Sequence, residues 1–513
     1  MPGENSSRIA KNTAMLYVRM IFTMFVSLYT SRVVLNILGI SDYGVYNVVG
    51  GVVTMFSFLN AAMANGTQRF LSYELGKGDI PQLKKVFSTT LSIHILIGLV
   101  ILILAETVGL WFLNFELNIP YERMVAANWV YQCSILSFLV TVFQVPYNAS
   151  IIAHERMNVY AYVSIIEVLL KLLIVFLLTW IDYDKLILYG FLYFAVSFAV
   201  ALIYRLYCKM KFSECTYYLV FDKSLFNNLL SFAGWNLYGN IACIASGQGV
   251  NIVLNIFFGP AINAARGIAF QISGAISGFA NNFQTAVNPQ IVKSYAAGNK
   301  EYMMNLVFSS SKFSFYLLFF IALPILIEAD FILKIWLTIV PEYTALFCRL
   351  IIISGLIDVF SGPLKTACNA TGDIKLFQFS EGTIILLVMP VSYVLYKWGC
   401  APEAAFYTGI ILAICLQFTR LFILRGIIQI NMKAYLLNIF FRSIFVGIIS
   451  AIIPMFLSNV IHNEVLRFFA VLSACVISSV IIIYILGLNR SEKNFVKEKV
   501  IHIYTRIKKQ KDI

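Results

Sequence analysis

The chain reads as an all-α integral membrane protein with fourteen transmembrane helices, two pseudo-symmetric six-helix bundles followed by an appended helix pair. Three observations carry that reading. Hydrophobic residues make up 60% of the chain and charged residues 12%, against about 25% charged in soluble domains. Apolar runs of ~20 residues, each long enough to cross ~30 Å of hydrocarbon, recur along the whole length. Finally, one stretch occurs twice. Asn60, Gln68, Ser72-Tyr73-Glu74-Leu75-Gly76 and Val86-Phe87-Ser88-Thr89 return as Asn282, Gln290, Ser294-Tyr295-Ala296-Ala297-Gly298 and Val307-Phe308-Ser309-Ser310. Upstream, Val34-Leu35-Asn36-Ile37 is answered by Val253-Leu254-Asn255-Ile256.

The apolar runs place spans near 13–38, 44–68, 86–113, 125–150, 159–181, 186–208, 225–258, 262–290, 304–328, 344–370, 374–396, 403–428, 436–458 and 465–488. The duplicated unit covers spans one to six and seven to twelve. The expected organisation is therefore a first bundle over 1–215, a second over 216–432, appended helices over 433–489 and a basic tail over 490–513. Inverted or parallel repeats of this kind commonly enclose a site between the halves of a transporter. The run after Asn12 reads as a retained first span rather than a cleaved signal.

An even number of spans puts both termini on one side, and the charges choose it. Connections on the terminal side carry Lys84, Lys85, Arg156, Lys209, Lys211, Lys293, Lys300, Lys375 and Lys433; the opposite connections carry mainly acids, such as Glu116, Asp182, Asp184, Glu328 and Glu342. Since Lys and Arg mark the cytoplasmic face, both termini are expected there. The net charge of +13 is thus explained by topology and anionic lipid, and no nucleic-acid partner is expected.

Chemistry inside the spans is restricted. Nine scattered cysteines with no Cys-x-x-Cys pair indicate neither a metal site nor a disulfide framework. There is no Gly-x4-Gly-Lys-Ser/Thr loop and no long external connection, so neither cofactor nor enzymatic activity is expected. Four arginines fall in or at the edge of the N-side spans of the two halves: Arg19, Arg32, Arg69 and Arg266. A guanidinium stays charged and grips phosphate with two parallel hydrogen bonds, which suits a cationic cavity for an anion. The competing reading for Arg32, Arg69 and Arg266 is snorkelling from span ends to water. Polar stripes run along span two from Asn47 to Gln68 and along span eight through Gln271, Ser277, Asn281, Gln284 and Asn288. They read as the wall of a water-filled lumen, with interhelical hydrogen-bonding as the alternative. Glu167 and Lys171 stand four residues apart and read as a self-neutralising structural pair. Asp358 and Glu381 remain as candidate ion-coupling carboxylates.

Together with these features, the opening Ser6-Ser7-Arg8-Ile9-Ala10-Lys11-Asn12, the segment Arg32…Leu38-Gly39…Asp42-Tyr43-Gly44-Val45-Tyr46, and Asn369-Ala370-Thr371-Gly372-Asp373 after span ten carry a family resemblance. The chain resembles the Wzx-type polysaccharide and O-antigen flippases, the polysaccharide transporters of the multidrug/oligosaccharidyl-lipid/polysaccharide (MOP) exporter superfamily. The resemblance implies a flippase of the bacterial inner membrane. It would carry undecaprenyl-pyrophosphate-linked oligosaccharide from the cytoplasmic to the outer leaflet by alternating access, for O-antigen, capsule or exopolysaccharide assembly. Spans one, two, seven and eight would line a lumen, Arg19, Arg32, Arg69 and Arg266 would meet the substrate, and the appended pair would accommodate the lipid tail. Implied partners are the lipid-linked oligosaccharide, membrane lipids and polysaccharide polymerase or ligase machinery. A cation-coupled multidrug exporter of the same superfamily is the alternative.

Overall fold

The computed structural model describes residues 2–54, 57–115, 119–220, 222–337, 340–490, 492–494 and 497. The side chains of Arg32 and Asn47 lie outside the described residues, as does nearly all of the expected tail. Among the described residues there is no strand, and the helices follow the apolar runs closely. They are α1 (Pro2–Thr54), α2 (Ser57–Lys77), α3 (Ile80–Phe115), α4 (Tyr121–Ala153), α5 (Met157–Trp180), α6 (Lys185–Lys211), α7 (Lys223–Phe258), α8 (Pro260–Ala296) and α9 (Lys300–Ile327). After a short α10 (Ala329–Trp336) come α11 (Thr344–Thr371), α12 (Lys375–Lys397), α13 (Ala404–Ile428), α14 (Met432–Val460) and α15 (Glu464–Gly487). Eleven of these are long and apolar enough to cross a membrane. The three remaining expected spans map to the two arms of α1 with α2, and to α8, whose polar residues dilute the apolar signal. The α1 rod breaks at Gly39, where φ is 77°, a conformation that glycine enters without a Cβ penalty.

Helix starts are set by short polar side chains that take up otherwise unpaired N–H groups. Asp79 accepts from the Gln82 N–H, Asp184 from Leu186 and Ile187, and Asn463 from Leu466. Contacts group the chain into two compact units: residues 1–245, 282–306 and 365–383, and residues 246–281, 307–364 and 384–513. The first contains the whole expected first bundle with the adjoining ends of α7, α8, α9, α11 and α12, ends that the charge pattern assigns to the terminal side. Its core is built on fully buried Leu71, Leu83, Phe87, Val86 and Cys208. In the second unit, stacked Phe315, Phe319 and Phe360 meet Phe440, and Ser478 donates to the Ser450 carbonyl, so the appended helices share one core with α9 and α11.

Candidate functional site

The duplicated stretch folds against its own copy. A Cβ on Gly76 would lie 2.7 Å from the Lys293 carbonyl oxygen and 2.8 Å from the Ala296 Cβ. Only glycine therefore lets the end of α2 approach the end of α8 so closely. The Tyr73 and Tyr295 rings, equivalent members of the two copies, stand 6.5 Å apart.

Each copy also grips a turn contributed by the other half. At the end of α2, Arg69 Nε donates to the Asn369 carbonyl at 2.8 Å and Nη2 to the Ala370 carbonyl at 2.9 Å. These belong to the last turn of α11, where carbonyls lack helical partners and the dipole is negative, so a cation is suited to them. The guanidinium stands over the rings of Phe70 and Tyr73 at 4.4 and 4.8 Å, and the residue is 8% exposed. The turn closes through Gly372 at φ 86°, where an added Cβ would meet Arg69 Nη2 at 2.8 Å. Beside it, Arg69, Asn228, Ser231, Trp235, Asp373 and Lys375 line a cavity of about 310 Å³.

At the end of α8 the arrangement recurs, with a carboxylate as the acceptor in place of carbonyls. Glu155 occupies the turn after α4 at φ 59°, an uncommon conformation for a residue with a side chain. Its carboxylate, 2% exposed, accepts from Gln290 Nε2 and Lys293 Nζ, each at 2.6 Å, and from Arg8 Nε at 2.8 Å. The Glu155 carbonyl accepts from Asn12 Nδ2 at 3.1 Å. The end of α2 thus holds the turn after α11, and the end of α8 holds the turn after α4: two latches at corresponding places of the repeat.

The expected site residues are distributed as follows. Arg19 Nη2 donates to Asn282 Oδ1 at 3.0 Å, its guanidinium lies 4.8 Å from the Tyr160 ring centre, and its Nε is buried without a hydrogen-bond partner. Arg266 donates from Nη2 to the Gly247 carbonyl at 2.9 Å and from Nη1 to Asn251 Oδ1 at 3.4 Å. Gln271 and Asn281 are exposed. Neither candidate coupling carboxylate stands alone. Asp358 meets Arg420 at 3.0 Å, and Glu381 lies 3.7 Å from Lys365. The structure brings Arg69 into the paired latches and Arg19 onto α8 through Asn282; Arg266, Asp358, Gln271 and Asn281 belong to the second unit. Glu155 and the pairing of Lys293 were not legible in the sequence, because they sit in connections that read as solvated charge. The available signal was Gln290, already one of the repeated landmarks.

A family profile described as "Polysaccharide biosynthesis protein" matches residues 9–295. The chain belongs to this family. Among curated proteins it is 21% identical over 158 residues to the uncharacterized membrane protein EpsK of Bacillus subtilis (strain 168), a match that spans 31% of each chain. Solved structures of similar fold include an outward-facing multidrug resistance MATE family transporter of the MOP superfamily (TM-score 0.70, 12% identity, 84% of this chain and 96% of that one). Another is MATE in the straight conformation (TM-score 0.71, 12% identity, 84% and 97%). A MOP superfamily transporter from Pyrococcus furiosus Vc1, described by the reversed polarity of its binding pocket, is also similar (TM-score 0.67, 12% identity, 83% and 96%). This polysaccharide-biosynthesis family member is therefore a multi-pass membrane protein with the fold of MOP superfamily transporters.

Proposed function

We propose that the protein flips an undecaprenyl-pyrophosphate-linked oligosaccharide from the cytoplasmic to the outer leaflet of the bacterial inner membrane by alternating access. It would serve O-antigen, capsule or exopolysaccharide assembly and hand its cargo to polymerase or ligase machinery. The observation that carries this reading is the pair of latches related by the repeat. Both fasten helix ends on the side expected to be cytoplasmic, and both are built from polar contacts that can exchange with water, hydrogen bonds at Arg69 and hydrogen bonds with ion pairs at Glu155. Releasing them together would open that side, and re-forming them would close it.

Direction follows from charge. A pyrophosphate head carries about two negative charges, and ~2.3 kcal/mol per charge per 100 mV favours its outward movement across an inside-negative membrane. Exchange of a proton or sodium ion at Asp358 or Glu381 is a separate proposal. Normal flux in Asp358→Asn and Glu381→Gln variants would remove it.

The test is a reversible lock. Tyr73→Cys and Tyr295→Cys, joined by a short thiol cross-linker, should stop the appearance of glycan on the outer leaflet while lipid-linked glycan accumulates on the cytoplasmic one. Cleaving the cross-link should restore flux. Undiminished flux in fully cross-linked protein would overturn alternating access at this end. A multidrug exporter would instead leave glycan unaffected and change drug sensitivity.

A further inference from the structure

Away from the latches, the first unit contains a cavity of about 300 Å³ lined by residues of α1, α5 and α6, at the small end of the ~300–1,000 Å³ typical of ligand pockets. Four tyrosines dominate it: Tyr43 and Tyr46 from the second arm of α1, Tyr189 and Tyr193 from α6. The Tyr46 ring stands edge-on to Tyr189 at 4.8 Å and to Tyr193 at 6.5 Å. Ser27 and Thr30 add hydroxyls, and Val34 and Ile174 supply apolar wall.

Midway along α5, Lys171 opens into the same cavity, 2.7 Å from Glu167 and 4.7 Å from the centre of the Tyr193 ring. Paired charges at this depth are expensive in hydrocarbon and characteristically face a watery cavity. Lys171 supplies donors to the cavity, and Glu167 behind it balances the charge. Here the contrast with the basic cavity beside Arg69 is plain: nothing selects an anion.

We infer that the cavity between Tyr43, Tyr46, Tyr189, Tyr193 and Lys171 is a saccharide subsite that takes one neutral pyranose unit of the cargo. A pyranose presents a C–H face that stacks on an aromatic ring, and a rim of hydroxyls that both donate and accept. The tyrosine rings provide the aromatic wall, while the phenol, serine and threonine hydroxyls and the Lys171 ammonium provide partners for the rim. The subsite deepens the flippase reading and rests on it.

A second feature orients the wall. Arg123 donates from Nε and Nη2 to the two carboxylate oxygens of Asp42 at 2.8 and 2.6 Å, and from Nη1 to Asp184 Oδ2 at 2.6 Å. Asp42 immediately precedes Tyr43, and Asp184 opens the helix that carries Tyr189 and Tyr193. One guanidinium thereby sets the positions of both tyrosine-bearing segments.

The experiment is saturation-transfer NMR on the full-length protein in nanodiscs, with methyl glucoside, methyl galactoside and methyl N-acetylglucosaminide as probes. At least one should receive saturation from the wild type. Its binding should weaken about tenfold in Tyr193→Leu, which removes a stacking ring. Tyr193→Phe should keep most of it, controlling for folding, whereas Glu167→Leu/Lys171→Leu should lose it. No transfer to any glycoside, or equal transfer in Tyr193→Leu, would overturn the subsite. The two readings fail separately. Glycan flux without glycoside binding rejects the subsite alone, and glycoside binding without glycan flux rejects the flippase reading.

Discussion

Arg69 shows how much a single side chain decides. Its two carbonyl bonds need two donors held in one plane, which an ammonium group cannot provide. Arg69→Lys should therefore reduce glycan flux although the charge is kept, at a cost of about 1.5–3 kcal/mol for each charge-assisted hydrogen bond lost. Arg69→Glu should abolish flux, with intact expression. Normal flux in Arg69→Glu would make this arginine a passive anchor and not part of a working latch. Gly76 is the complementary case, where the absence of a side chain matters. With the Lys293 carbonyl 2.7 Å from the site of an added Cβ, Gly76→Ala should destabilise by about 1–3 kcal/mol, read as a lower melting temperature of the purified protein.

At the level of the element, the start of α6 carries a pH dependence. Burial raises the Asp184 pKa, but hydrogen bonds from Arg123 and from the Ile187 and Leu186 N–H groups outweigh it and hold the carboxyl below its usual range. A depressed folded-state pKa contributes stability that is present above the unfolded value of about 3.9 and is lost as pH falls through the folded value. Thermal stability should drop on acidification below about pH 4, and Asp184→Asn should be less stable at neutral pH with a shallower acid limb. An unchanged acid limb would show that the carboxylate does not hold this helix. The bidentate bond from Arg123 to Asp42 transmits the same loss to the second arm of α1.

For the whole molecule, the Glu155 cluster ties three helix ends to one buried carboxylate. Removing one member of a buried ion pair costs about 3–5 kcal/mol, chiefly because its partner is left charged and unpaired; Arg8 is half-exposed and suffers less. Glu155→Gln should shift the population toward the open latch. In a background lacking the exposed Cys243 and Cys415, a cysteine replacing buried Ser294 should then react faster with a water-soluble maleimide. Unaltered reactivity would mean that the cluster is a structural fastening only. The long cores of the helices were legible beforehand because burying a backbone in hydrocarbon demands that each run be apolar and helical. The latches were not. Glu155 and Lys293 read as ordinary connection residues, and their meeting depends on helices whose packing no local pattern records. Glu167 and Lys171 show the same limit: their spacing announced a pair, while the tyrosines around it come from helices far away in the chain.

Hydrophobic runs, the recurrence of Ser72–Gly76 as Ser294–Gly298, and the segregation of basic residues were sufficient to determine an all-helical membrane protein and the course of its helices, and the motifs Ser6–Asn12, Arg32–Tyr46 and Asn369–Asp373 added its resemblance to polysaccharide transporters. Those properties follow from the solvent, because hydrocarbon imposes composition and length on each segment independently. Which side chains meet was decided only by tertiary structure. Arg69, expected to meet the substrate, donates to the Asn369 and Ala370 carbonyls, and Glu155 accepts from Lys293 at the corresponding place of the repeat. Such contacts join residues more than a hundred positions apart, and their energies arise from burial and geometry that exist only once the helices have packed.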